Sequence, residues 1–218
     1  MADANVTRAS QIDTATLSDA LDKLAIAGQC LGIKPLDFSF QMTGRARTFQ
    51  YAPARPGGTV GDYIDDVLPG SVIVLNNSGR EDATVWGDIL TFVADKRGVA
   101  GTVIDGACRD TLLARELGYP IFSRSYSMRT GKDRVQLEAR DVLVVIGEAR
   151  VAPNDIVRGD ADGVVVLPKD REIEILELAE KIDEAERRIR EAVAAGRRLD
   201  EARKDQQYHL LQRRGAGE

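Results

Sequence analysis

The side chains best suited to chemistry stand in two short stretches of the 218-residue chain, Gly87-Asp88-Ile89-Leu90 and Arg109-Asp110, with twenty residues between Asp88 and Arg109. A glycine at the first turn of a helix leaves the backbone N–H groups of Asp88, Ile89 and Leu90 open. Such a helix start attracts anions through its unpaired donors and its positive dipole end. An arginine beside it can grip a carboxylate with two parallel hydrogen bonds. Asp88 and Asp110 offer hard oxygen ligands, which suit Mg²⁺ with water completing its octahedron. The same residues also have a plainer reading. Asp88 can simply complement the helix dipole, Asp110 can cap the helix that follows, and Arg109 can sit in a surface ion pair worth under about 1 kcal/mol. Residue type and spacing leave both readings open.

The elements around these stretches must bring them together. Residues 84–97 read as a helix, with its ligand-facing start at Gly87-Asp88, and 99–105 as a strand that turns at Gly106 and delivers Cys108, Arg109 and Asp110. In α/β architecture ligands collect at the carboxyl ends of strands, and one helix plus one returning strand fits the spacing. A helix over 110–117 closes at Gly118. Further helices are expected over 16–27 and 60–68, and strands over 42–52, 71–75, 121–122, 134–137, 142–146 and 163–167. The sequence therefore predicts an α/β body over 1–168 and a C-terminal helical extension over 169–218. In that extension Ile175, Leu178, Ile182, Ala185, Ile189 and Ala192 step by three and four, a narrow apolar seam. The seam suits packing on the chain's own body or on a neighbouring subunit. Residues 169–214 hold twelve basic and twelve acidic side chains, so the extension is no basic arm.

Composition narrows the chemistry further. Hydrophobic residues at 43% and charged residues at 30% allow a real core. A net charge of −5 argues against a nucleic-acid partner. The two cysteines, Cys30 and Cys108, form no C-x-x-C pair, and His209 is the single histidine. Cys/His zinc sites are thereby excluded, and histidine-based nucleophilic triads are disfavoured. The first thirteen residues are polar, and the longest apolar run, 142–146, is far short of a membrane span. A soluble cytoplasmic protein acting on small molecules is expected. Lesser candidates are read as structural. The glycine-rich stretch 55–61 lacks the lysine and hydroxyl of a phosphate loop and reads as a plain turn. Asp160 and Asp162 read as a turn entering a strand. Lys96 and Lys132 lie among charged or turn residues, poor settings for a Schiff-base lysine. Cys108 reads as a packed small residue, and His209 as an inert residue in a polar tail.

Five segments resemble a known family: TATLSDAL at 14–21, MTGRARTF at 42–49, PGSVIVLNN at 69–77, WGDILTFVADKRGVAGTVIDGACRD at 86–110 and DADGVVVLPKD at 160–170. They are similar to the group named for regulator of ribonuclease E activity A, which includes the 4-hydroxy-4-methyl-2-oxoglutarate/4-carboxy-4-hydroxy-2-oxoadipate aldolases. The likeness spans roughly residues 14–195. The most specific part is an aspartate, twenty residues, then Arg-Asp, present here as Asp88 and Arg109-Asp110. The resemblance implies a β/β/α swivelling-type fold assembled as a homotrimer or homohexamer with sites between subunits. It implies a class II pyruvate aldolase using Mg²⁺ or Mn²⁺ on an oxo-acid substrate, with oxaloacetate decarboxylation as a side activity. Asp110 would anchor the metal, Asp88 would orient water, and Arg109 would bind the pyruvyl group, its carboxylate lying on the Ile89 and Leu90 N–H groups. The aldolase pattern places an acid three residues after the Arg-Asp aspartate, where this chain has Leu113. An acid there would close a capping box on Asp110. The acidic residue that a neighbouring subunit supplies has no motif-matched position in this chain. The regulatory members imply a rival function, a non-catalytic ribonuclease-regulating binder with the C-terminal seam as its contact surface. Methyl transfer is set aside because no nucleotide-type glycine fingerprint follows the first strand.

Overall fold

A computed structural model describes residues 3–212. In chain order the elements are α1 (Ala4–Ser10), α2 (Thr14–Lys23), β1 (Lys34–Pro35), β2 (Met42–Pro53), β3 (Ser71–Asn76), β4 (Thr84–Trp86), α3 (Asp88–Lys96), β5 (Gly101–Cys108) and α4 (Thr111–Leu117). The second half contributes β6 (Ile121–Tyr126), β7 (Val135–Arg140), β8 (Val144–Ile146), β9 (Ala149–Val151), β10 (Ile156–Asp160), β11 (Gly163–Leu167), α5 (Glu172–Ala194), α6 (Leu199–Asp205) and α7 (Tyr208–Gln212).

The frame is a mixed nine-stranded sheet in the order β1-β6-β5-β3-β2-β10-β11, with β4 added to β5 and β7 to β2. Its centre is parallel: β2 pairs with β3, β3 with β5 and β5 with β6. Parallel strands are covered on both faces, so their sequences are apolar throughout. Every residue of β5 is buried, and of β3 only Asn76 is not. The sheet curls nearly shut. The Cys30 N–H donates to the Val164 carbonyl at 3.0 Å and the Val166 N–H to the Gly28 carbonyl at 2.8 Å, so the segment leading into β1 meets β11. This mixed, near-barrel sheet with a C-terminal helix is the fold class expected from the sequence.

Apolar packing divides into two bodies. The larger joins the central strands to α3 and α4. The smaller lies between β10–β11 and the helices α1, α2 and α5. The α5 stripe built from Ile175, Leu176, Ala179 and Ile182 is wholly buried there, and each large aliphatic side chain so buried stabilises by about 1.5–3 kcal/mol. Of the two readings of the C-terminal seam, the helix packs it on its own body. Gly196, at φ +90, ends the helical path just past α5.

Several expected boundaries move. The 60–68 helix is only a 3₁₀ turn at Ile64–Asp66; the rest is loop. Residues 84–86 are strand, because Thr84 and Trp86 pair with Ala107 and Cys108 before Gly87 opens the helix. Strands β9 and β10 and helix α1 carry too short or too mixed a pattern to read from periodicity. In β10 the fully enclosed Arg158 interrupts the apolar run while its guanidinium donates to the Ile12 and Gly159 carbonyls.

Candidate functional site

The site begins with a strand pairing. Trp86 lies beside Cys108, and the Arg109 N–H donates to the Trp86 carbonyl at 2.9 Å. That bond ties the strand end carrying Arg109-Asp110 to the residue just before Gly87. Trp86 is held in turn. Its indole N–H donates to Thr91 Oγ1 at 2.9 Å, whose hydroxyl donates to the Gly87 carbonyl at 2.9 Å, and its ring lies parallel to Tyr119 at 6.3 Å. Buried Trp and Tyr with satisfied polar tips make a stiff base for a site.

Gly87 is required by proximity. A Cβ there would stand 2.8 Å from Asp110 Oδ2 and 3.2 Å from Arg109 Nε. Asp110 has φ +55 and ψ +39, the left-handed region that costs an L-residue about 1–2 kcal/mol, less for Asp because its side chain bonds locally. That backbone aims the carboxylate away from α4. Asp110 makes no side-chain capping bond to the helix it precedes; Oδ2 instead accepts the Asp88 N–H at 3.2 Å and lies 3.3 Å from Arg109 Nε. The capping role weighed for Asp110 is therefore absent, and so is the capping box that an acid at Leu113 would have completed.

The three helix-start donors are not equally open. The Asp88 N–H serves Asp110, and the Ile89 N–H donates to Asp88 Oδ1 at 2.8 Å. Of these three, only the Leu90 N–H has no partner among the described residues. A carboxylate that lies on Ile89 and Leu90 therefore requires the Asp88 side chain to turn outward. Asp88 is exposed, and the Arg109 and Asp110 side chains each keep 39% of their surface.

Gly87, Asp88, Ile89, Leu90 and Arg109 line one wall of a cleft of about 550 Å³. Asp110 is not among the residues that line it. The rest of the lining comes mainly from two segments: the first runs from the turn expected over 55–61 into the helix expected over 60–68, and the second reads in the sequence as turn residues around Lys132. One is the loop through Gly58–Asp65, where Gly61 packs so closely on Leu90 that a Cβ would meet its side chain at 2.7 Å. The other is Thr130-Gly131-Lys132, fastened when the Thr84 N–H and hydroxyl donate to the Arg129 carbonyl at 3.2 and 2.8 Å. Neither carries a motif, and only tertiary pairing places them. Cys108 is packed as expected: burial raises its thiol to about 11, partly offset by its contact with Ser123.

Among the described residues no three His, Cys, Asp or Glu side chains gather as a ready metal cluster. The donor set that exists is the pair Asp88 and Asp110, joined through the Asp88 N–H. Two carboxylates with the remaining positions left to water or substrate match how Mg²⁺ is usually held, so the residues present fit such an ion. No described helix is long and apolar enough to cross a membrane.

Comparison with known proteins places the chain in a family. The aldolase/RraA model of the RraA-like family matches residues 14–166. The chain belongs to the RraA-like family. Among RraA-like relatives, a Halalkalibacterium halodurans protein provisionally named a 4-hydroxy-4-methyl-2-oxoglutarate aldolase is 36% identical over 81% of this chain and 82% of its own. Protein DlpA of Legionella pneumophila is 40% identical over 90% of this chain, which spans only about a third (32%) of that relative's length. Among solved structures, an uncharacterized Pseudomonas syringae protein superposes with a TM-score of 0.89 at 41% identity, covering 94% of this chain and 95% of that one. RraAS2 of Streptomyces coelicolor, described as an unusual member of the RNase ES inhibitor RraA protein family, superposes with a TM-score of 0.78 at 31% identity, covering 85% and 96%. The RraA-like fold is thus shared by aldolase-named and inhibitor-named proteins, and the site must separate them.

Proposed function

We propose that this chain is a divalent-metal-dependent lyase that cleaves a 4-hydroxy-2-oxo acid to release pyruvate, with oxaloacetate decarboxylation as a side activity. The observation that carries the reading is the orientation of Asp110: a left-handed backbone turns its carboxylate from its own helix toward Asp88 and Arg109 at the cleft. A binding protein has no need of that costly arrangement.

Arg109 grips the substrate carboxylate as a fork, and the Leu90 N–H, joined by that of Ile89 once Asp88 turns outward, adds helix-start donors to the same group. Asp88 and Asp110 would hold Mg²⁺ or Mn²⁺. When bound, the cation supplies Lewis-acid stabilisation of negative charge developing on the 2-oxo oxygen. Asp88 orients the water that accepts the C4 hydroxyl proton. As that proton leaves, C4 becomes a carbonyl and the C3–C4 bond breaks. Its electron pair passes into the C2–C3 unit as the pyruvate enolate, and protonation at C3 completes pyruvate. Oxaloacetate loses CO₂ to reach the same enolate. No lysine adduct is needed.

The likeness to RraAS2 supports a second reading, a non-catalytic regulator of a ribonuclease. Its natural contact surface, the α5 seam, is spent on α1 and α2, which favours the lyase. We further propose a homotrimer or homohexamer, because Ile89, Phe92, Leu112, Tyr126 and Met128 are exposed apolar side chains on elements that carry or adjoin the site. Incubation with oxaloacetate or 4-hydroxy-4-methyl-2-oxoglutarate, with Mg²⁺ or EDTA, tests the function. The lyase reading requires metal-dependent pyruvate from at least one, and none from either overturns it.

A further inference from the structure

Helix α3 starts on Gly87, which has no side chain with which to cap it. A Ser, Thr, Asp or Asn at that position would bond the N–H of Ile89 or Leu90, the donors that an anion in the cleft would use. The start is held from inside the helix instead. Thr91 is wholly buried; its hydroxyl donates to the Gly87 carbonyl at 2.9 Å, and its N–H donates to the same oxygen at 3.0 Å. The same hydroxyl accepts the Trp86 indole N–H at 2.9 Å. An indole N–H only donates, so the direction of both bonds is fixed, with the hydroxyl proton on the Gly87 carbonyl. Threonine is a poor helix former, and a hydroxyl bonded back to the carbonyl four residues earlier slightly destabilises a helix. The hydroxyl therefore does little for α3 as a helix; what it does is join Trp86 to Gly87. Trp86 is 2% exposed and its own carbonyl accepts the Arg109 N–H at 2.9 Å. One buried hydroxyl thus links the helix-start donors to the strand end that carries Arg109.

We propose that Thr91 is a positioning residue for the carboxylate grip. Its hydroxyl stands in for the missing cap: it sets the Ile89 and Leu90 N–H groups and the Arg109 backbone in one register without occupying those donors. This rests on the reading of the cleft as an oxo-acid site and adds a residue from outside the cleft lining. Thr91 touches no substrate; it acts through Gly87 and Trp86.

The test compares Thr91→Val, which keeps the branched shape and removes the hydroxyl, with Thr91→Ser, which keeps the hydroxyl. Pyruvate binding is read by calorimetric titration of the full chain in Mg²⁺, and turnover by pyruvate release from oxaloacetate. The link itself is read by the emission of Trp86, the single tryptophan. Thr91→Val is expected to weaken pyruvate binding and to raise KM for oxaloacetate by about 10-fold, the scale on which losing a partner that orients a ligand-binding group is felt. The turnover number kcat should change less, because the grip acts on bound substrate and transition state alike. Trp86 emission should move to shorter wavelength as the indole N–H loses its acceptor. Thr91→Ser should restore all three. A merely structural role would lower the melting temperature of Thr91→Val and leave affinity and KM at wild-type values. That result overturns the proposal, as does a Thr91→Ser variant as weak as Thr91→Val, or a wild type that binds no pyruvate. Should Thr91→Val fail to fold, Trp86→Phe breaks the same link from the other side and must weaken pyruvate binding; wild-type affinity there overturns the assignment. Thr91-dependent binding without pyruvate release would sink the lyase reading and leave the positioning role standing; release with an affinity indifferent to Thr91 would do the reverse.

Discussion

The Asp88 backbone N–H donates to the Asp110 carboxylate at 3.2 Å, joining the first residue of one helix to the residue that precedes the next. Through that bond the end of β5 and the start of α3 behave as one object. Arg109 stands between them, with its own N–H fastened to Trp86.

Removing Arg109 tests substrate grip. Arg109→Ala should lower pyruvate release by about 10²–10³-fold, the scale of losing one preorganised charge contact at a reacting group, while the melting temperature moves little because the side chain is 39% exposed. Arg109→Lys should recover only a small part, since a point charge cannot form the fork. Unchanged turnover in Arg109→Ala would remove the residue from the site.

Asp110→Gly separates stability from function. Glycine is at ease at φ +55, so the variant should match or exceed wild-type stability, by up to about 1 kcal/mol, as backbone strain is relieved. Metal-dependent activity should nonetheless vanish. The rise in melting temperature produced by Mg²⁺, about 2.7 kcal/mol in free energy at a hundred times its dissociation constant, should vanish with it. A variant that still gains stability from Mg²⁺ would show that the metal is held elsewhere.

Gly87→Ala presses a methyl group onto the Asp110 carboxylate and Arg109. The expected cost is about 1–3 kcal/mol, with activity falling further than stability as both side chains are displaced. Circular dichroism with a pyruvate assay reads the two effects; a fully active variant would mean that the two strand-end side chains move freely.

Far from the cleft, Arg45 bridges Asp3 at 2.8 Å and Glu172 at 2.5 Å. Burial pushes the Glu172 carboxyl up, but its bonds to Arg45 and Asn5 outweigh that and hold it below its usual 4.5. A depressed carboxylate stabilises the fold above its unfolded value and ceases to do so as pH falls through its folded one. Melting temperature should therefore drop on acidification below about pH 4.5, and more steeply in wild type than in Glu172→Gln, as thermal scans across that range would show. Parallel slopes would assign the acid sensitivity to other groups.

Assembly is checked by light scattering on a sizing column. The exposed apolar set around Ile89 and Leu112 predicts a species of three or six times 23.8 kDa, and charged replacement of Leu112 should release smaller ones. A wild-type monomer would contradict a site completed between subunits.

Much of the site was legible because its signals are local. A fully apolar run marks β5, Gly118 ends α4 at φ +69, and the spacing from Asp88 to Arg109 allows one helix and one strand. What stayed hidden depends on distant pairing. Lys132 reads as a turn lysine until Thr84 captures the Arg129 carbonyl, and the 58–65 loop reads as a turn running into a helix until Leu90 seats on Gly61. Arg158 hid β10, because an enclosed arginine satisfied by backbone carbonyls is indistinguishable in sequence from a surface one.

The helical layer has a modular consequence. Asn5 and Arg8 near the start bond to Glu172 and Glu180 on α5, and the Leu210 carbonyl near the other end accepts from Lys23 on α2. Both ends of the described stretch are thus moored to one small platform, and none of its helices contributes a residue to the cleft. A fold moored in this way can be spliced into a longer polypeptide as a cassette, its new neighbours joined at the platform while the cleft stays clear. The Legionella relative, about three times as long as the stretch it shares with this chain, is built on the same scale as such an extended architecture.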